Sequence, residues 1–107
     1  MRQALDCRNV TDANGNPTGG WVTGVGISIN WQRGPLGRDG DRLEPNGAFV
    51  EGVIEAALRR LQFFQGSKFA CSENQAAIEH LEAALGALDT RTHRREQEGT
   101  EGTHEGA

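Results

Sequence analysis

The residues able to do chemistry in this chain are mostly arginines, and their grouping suits anion capture better than bond-making. Arg91, Arg94 and Arg95 crowd one short segment, Arg59 and Arg60 are adjacent, and Arg33, Arg38 and Arg42 share one loop. A guanidinium presents a rigid fork of donors that can hold a phosphate through two parallel hydrogen bonds. A second group combines rings and polar atoms: Phe63, Phe64, Lys68 and Phe69, then Ser72, Glu73 and Asn74 where a helix begins. Open backbone amides at a helix N-terminus favour an anion, and adjacent aromatic faces can stack a base.

Each cluster also has a plainer reading. Cations late in a helix stabilise its C-terminus by a few tenths of a kcal/mol each. That account covers Arg59, Arg60, Arg94 and Arg95. Arg91 immediately precedes Thr92, the next position of an apolar seam, so it can flank a packed interface. One or two of Phe63, Phe64 and Phe69 are expected to close a core. Trp21 and Trp31 read by default as core residues; Trp31 is the better ligand candidate, because it ends a strand beside Gln32 and the arginine-bearing loop.

Catalysis finds little support. A hydrolase or transferase needs a nucleophile with a base, paired carboxylates, or metal ligands. His80 falls outside the seam of its helix, His93 stands among arginines and His104 lies near the end, so each is expected to be solvated. Gly34-Pro35-Leu36-Gly37 lacks the lysine and following helix of a phosphate-cradling loop. Cys7 and Cys71 are far apart with no metal-ligand spacing, so two reduced thiols are expected. No catalytic residue, metal or cofactor is expected.

These residues need elements to place them. The turn signal Ala13-Asn14-Gly15-Asn16-Pro17 predicts a hairpin whose first strand is residues 3–11. From Trp21 to Trp31, Trp21, Thr23, Val25, Ile27, Ile29 and Trp31 alternate with Val22, Gly24, Gly26, Ser28 and Asn30. That pattern predicts one half-buried strand bent at its glycines. Residues 34–47 form a Gly/Pro/Asp-rich loop. Phe49, Val50, Val53, Ile54, Ala57, Leu58 and Leu61 then recur at helical spacing until Gly66 stops the helix. A second helix opens at Ser72, where Ser72 and Gln75 fit a capping box. Its seam of Ile78, Leu81, Leu85, Leu88 and Thr92 predicts antiparallel packing. The expected fold is α+β: an N-terminal antiparallel β-hairpin or small sheet (about 3–33), the loop, and a two-helix antiparallel hairpin (about 48–96). Residues 1–96 are read as a single domain and 97–107 as a flexible acidic tail.

The 107 residues are 36% apolar, with a formal charge of −4. A chain this small buries only about two-thirds of its unfolded surface, which makes an oligomer the natural expectation. No apolar run reaches the roughly 18 residues that span a bilayer and no signal-peptide core is seen, so no membrane association and an intracellular location are expected. Glu96, Glu98, Glu101 and Glu105 concentrate the acidity late in the chain, and the balance of charge argues against DNA binding.

At this point whole segments become recognisable. Ile29-Asn30-Trp31-Gln32, Gly34-Pro35 and Pro45-Asn46-Gly47-Ala48-Phe49-Val50-Glu51 resemble a set of phage proteins. So do Arg60-Leu61-Gln62-Phe63-Phe64-Gln65, Ser67-Lys68-Phe69-Ala70-Cys71-Ser72-Glu73-Asn74, Ala77-Ile78 and Leu81-Glu82-Ala83-Ala84-Leu85. Arg91-Thr92, Arg95 and Glu101-Gly102-Thr103-His104-Glu105 complete the pattern. The resemblance, over about residues 20–105, is to the first family of Thoeris anti-defence proteins, cyclic ADP-ribose sponges that share a helical hairpin with anti-CBASS sponges. It implies a phage-encoded protein in the host cytoplasm that binds glycocyclic ADP-ribose signals without degrading them.

The resemblance further implies pockets at subunit interfaces of a homo-oligomer, from dimer to hexamer. Phe64 would stack on adenine, Asn74 and Arg38 would hold polar atoms, and Arg91 would contact phosphate or a second nucleotide site. The full candidate ligand-binding set is Phe64, Asn74, Arg38, Arg91, Trp31, Gln32, Phe69, Glu73 and Thr92. One departure stands out: the family usually carries arginine where this chain has Ser72, which removes a positive charge. Cyclic oligonucleotides are the alternative ligand, and a ligand-free interaction module the alternative role.

Overall fold

The computed structural model describes residues 1–37, 40, 42–99 and 103. It is α+β, a three-stranded antiparallel sheet followed by two helices. The strands are β1 (Asp6–Thr11), β2 (Pro17–Gly24) and β3 (Ile27–Asn30), in sheet order β1-β2-β3; the helices are α1 (Val50–Gln65) and α2 (Ser72–Glu98). They fall into two compact units. One is Met1–Phe49 with what is described after Glu98, the other Val50–Glu98.

In the sheet unit, the expected turn between β1 and β2 forms, and its chemistry is local. The Asp12 carboxylate accepts the backbone N–H groups of Asn14 at 2.8 Å and Asn16 at 3.0 Å, and the Asn16 side-chain amide at 3.2 Å. Such side-chain capture of backbone donors is why Asp and Asn favour turns.

The single strand predicted from Trp21 to Trp31 is instead two. Val25 and Gly26 make a two-residue connection, with Gly26 at φ 75°, a left-handed conformation that glycine adopts without steric cost. The break reverses the phase of the pleat. Val22 pairs with Ile29 and Gly24 with Ile27 on one face, while Trp21 pairs with Asn30 and Thr23 with Ser28 on the other. Trp21 therefore lies opposite the isoleucines with which alternation had grouped it. After β3 the chain loops out and returns, and Ala48 lies parallel to Trp31, with Ala48 N–H donating to Asn30 O at 2.7 Å and Gln32 N–H to Ala48 O at 2.9 Å.

In the helical unit, α1 turns Val53, Ile54, Leu58 and Leu61 inward while Val50 and Ala57 are exposed. Facing them, the α2 seam runs through Ile78, Leu81, Leu85, Leu88 and Thr92 as expected, and ends at Arg95. Leu58 and Ile78, each 5% exposed, are its most buried apolar side chains. α2 has 27 residues and α1 only 16, so α2 outruns its partner. It ends at Glu98 rather than 96, and the rest of the expected flexible tail lies mostly outside the described residues.

Candidate ligand-binding site

The connection between α1 and α2 is tied by its own side chains. Gly66 N–H donates to the Gln62 and Phe63 carbonyls at 3.2 Å, closing α1. The Ser67 hydroxyl donates to Phe64 O at 2.6 Å and accepts from Phe69 N–H at 3.1 Å. Gln65 Oε1 accepts Cys71 N–H at 2.9 Å, and Asn74 Nδ2 donates to Phe69 O at 3.3 Å. A turn of six residues with this many internal bonds is a firm platform, because satisfied backbone groups leave it little to gain by rearranging.

The platform displays rings. Phe63 and Phe69 are 62% and 64% exposed, so neither closes the core; Phe64 is half-buried and alone matches that expectation. Phe63 and Phe64 tilt against each other at 59° with centroids 5.8 Å apart. The Arg60 guanidinium carbon lies 5.0 Å from the Phe63 centroid and 4.9 Å from that of Phe64, and Lys68 Nζ lies 5.4 Å from that of Phe69. Each is a cation held by the negative face of an aromatic ring.

The start of α2 departs from expectation. Ser72 does not make a capping box. Its hydroxyl donates to Glu73 Oε2 at 3.2 Å, and Gln75 Nε2 reaches Glu79 Oε1 at 3.4 Å. The Glu73 carboxyl is held below the usual glutamate range, first by its own backbone N–H, then by the Ser72 hydroxyl and the Cys71 thiol. A carboxylate already occupies the anion-favouring helix end. Ionised Glu73 is thus an acceptor, suited to hydroxyl groups and unsuited to phosphate.

Phe64, Phe69, Glu73 and Asn74 are therefore brought together. Arg91, exposed, and Thr92, half-buried, are not with them. They lie on the same α2, seventeen residues beyond Asn74, which at 1.5 Å per residue is about 25 Å along one rigid rod. Trp31 and Gln32 belong to the sheet unit. Gln32 closes its own loop, with Oε1 accepting Asn46 N–H at 2.8 Å and Nε2 within 3.4 Å of the Arg33 and Gly34 carbonyls. Arg38 lies outside the described residues.

Two further residues, Arg60 and Arg95, are placed for more than capping a helix end. Arg60 passed as a helix-end cation, although its spacing of three and four residues from Phe63 and Phe64 is the signal for stacking. Arg95 did too, yet it is 8% exposed, and its three-residue spacing from Thr92 continues the seam. Both cysteines are exposed free thiols. Among the described residues no metal-ligating group of three forms, and no helix is long and apolar enough to cross a membrane.

Residues 24–92 match the Acb2/Tad1 hairpin domain family. Over 78 residues the chain is 47% identical to a protein of Bacillus phage SBSphiJ7 named Thoeris anti-defense 1. The match covers 73% of this chain and 52% of the phage protein, so the chain spans about half the length of that relative.

Proposed function

This chain belongs to the Acb2/Tad1 hairpin domain family, and from that premise we propose that it is a phage anti-defence sponge. It works in the host cytoplasm by holding a glycocyclic ADP-ribose signal intact, so that a Thoeris effector is not switched on. The ligand sits where two copies of the chain meet. One copy supplies the Phe64 ring for adenine, the Asn74 amide for polar ring atoms and the Glu73 carboxylate for ribose hydroxyls. Phe69 shields the edge, and the other copy brings Arg91 to the diphosphate, with Thr92 beside it.

The observation that carries this reading is the span of about 25 Å between Asn74 and Arg91 on one helix. A dinucleotide-sized ligand is far shorter, so these residues can serve one pocket only if different copies contribute them. Exposed Val50, Phe63 and Phe69 give the helical unit apolar surface to bury in such a contact. Sequestration needs roughly nanomolar binding, about −12 kcal/mol. Base stacking at ~1–3 kcal/mol, charge-assisted bonds and exclusion of water between two chains supply terms of that kind. A sponge needs no nucleophile or general base, and the platform's groups are all suited to holding.

Calorimetry with glycocyclic ADP-ribose isomers, followed by recovery of the ligand from the heated complex, tests the proposal. Saturable heat and unchanged ligand are expected; a processed product would mean an enzyme. Because the family joins two hairpin-bearing groups, cyclic di- and trinucleotides belong in the same titration as the alternative ligands.

A further inference from the structure

The sheet unit carries a cleft of its own, of about 510 Å³, within the size range of small-molecule sites. Its floor is one cross-strand row: Arg8 on β1 pairs with Trp21 on β2, which pairs with Asn30 on β3. Trp31, Arg33 and Asn46 stand at its side. Arg8 and Trp21 precede the segment that matches the hairpin family, so the cleft is partly built from chain outside that resemblance.

Two things mark it as a binding site rather than an accidental hollow. First, it is preorganised. Asn46 clamps the backbone of Arg33 from both sides, Oδ1 accepting Arg33 N–H at 2.7 Å and Nδ2 donating to Arg33 O at 3.1 Å. The stem of Arg33 lies across Gly19, its Cγ 2.7 Å from where a Cβ would stand. Trp31 is fixed by its N–H bond to Gly20 O at 3.0 Å and by pairing with Ala48. Second, its charges are uncommitted: among the described residues no hydrogen bond or ion pair involves the guanidinium of Arg8 or Arg33. Two arginines and the Trp21 indole, with nothing acidic among the described lining residues, favour a ligand that is flat at one end and anionic at the other.

We propose that this cleft binds a nucleoside monophosphate-like group, its base against Trp21 and its phosphate between Arg8 and Arg33. Every residue of this site belongs to the sheet unit.

The protein provides its own reporter. It has two tryptophans and no tyrosine, and both tryptophans line the cleft, while the hairpin platform carries only phenylalanines. Adenosine 5′-monophosphate titrated into the full chain should quench tryptophan emission, excited at the red edge to avoid absorption by the base, in a saturable way. Adenosine and inorganic phosphate should each bind more weakly. Arg8→Gln and Arg33→Gln should each raise the half-saturation concentration about tenfold, with unchanged circular dichroism. Phe64→Ala should leave the titration as it was, whatever becomes of the hairpin site. Unchanged emission, wild-type quenching in both arginine variants, or loss of quenching in Phe64→Ala would overturn the proposal. So would much tighter, steeply salt-dependent binding of a single-stranded oligonucleotide, which would make the cleft part of a nucleic-acid face.

Discussion

Arg60 rests its guanidinium 4.9 Å from the centre of the Phe64 ring, one helical turn away on α1. The contact holds the charge on a ring face next to the place where an adenine would stack. A cation–π contact at an exposed site contributes ~0.5–1 kcal/mol. Arg60→Ala should therefore weaken glycocyclic ADP-ribose binding by about two- to fivefold while moving the melting temperature little. Calorimetry paired with a thermal melt checks it, and Arg60→Lys should recover only part of the loss, since a planar fork stacks where an ammonium does not.

Glu73 makes the start of α2 sensitive to acid. Its folded-state pKa is lowered, so the carboxylate contributes fully above the ordinary glutamate range and that contribution is lost as pH falls through the lowered folded value. Helicity and melting temperature should decline in that acidic window. In Glu73→Gln the decline should be shallower, because the amide has no charge to lose. A pH series of circular dichroism melts on both proteins measures the difference.

Gly20 lies within β2 at φ 134°, and a Cβ placed there would collide with the Arg8 carbonyl. The obstacle is backbone, so no side chain can swing aside. Gly20→Ala should destabilise the sheet by more than about 1 kcal/mol, combining a disfavoured backbone conformation with a strand forced outward. Denaturant unfolding monitored by tryptophan emission reads it, as both tryptophans lie in that unit.

The helical unit has a narrow core, so its two most buried apolar side chains should matter disproportionately. Leu58→Ala and Ile78→Ala are each expected to cost about 2–5 kcal/mol, from lost burial and the cavity left behind. Chemical denaturation at fixed protein concentration provides the measurement.

Much of this arrangement is legible in the sequence, for identifiable reasons. The Ile78-Leu81-Leu85-Leu88 seam and the stop at Gly66 announce a helical hairpin, because spacings of three and four have few other uses. Ala13-Asn14-Gly15-Asn16-Pro17 announces the first β-turn. Val25-Gly26 does not announce the second. It lacks the Asn-Gly or Asp-Gly pair that usually marks a two-residue connection, and alternation reads straight through it, grouping Trp21 with the wrong face. At the site, the aromatic run and Asn74 are visible in the sequence. That Glu73 already neutralises the start of α2 is not, because a capping box and a carboxylate cap draw on the same residue types. Arg95 is hidden by its own chemistry, since an arginine near a helix end is expected to face water.

If Phe64 and Arg91 in one pocket come from different chains, two disabled proteins should restore each other when mixed. Phe64→Ala and Arg91→Ala should each fail to bind glycocyclic ADP-ribose by calorimetry while keeping the native oligomer. When the two are unfolded together and refolded as an equal mixture, mixed pairs should regain one intact pocket each, restoring about a quarter of wild-type sites if the repeating unit is a two-fold dimer. Mixed oligomers that form, as shown by mass spectrometry, yet bind nothing would mean that both residues act within one chain, which contradicts a pocket shared between copies.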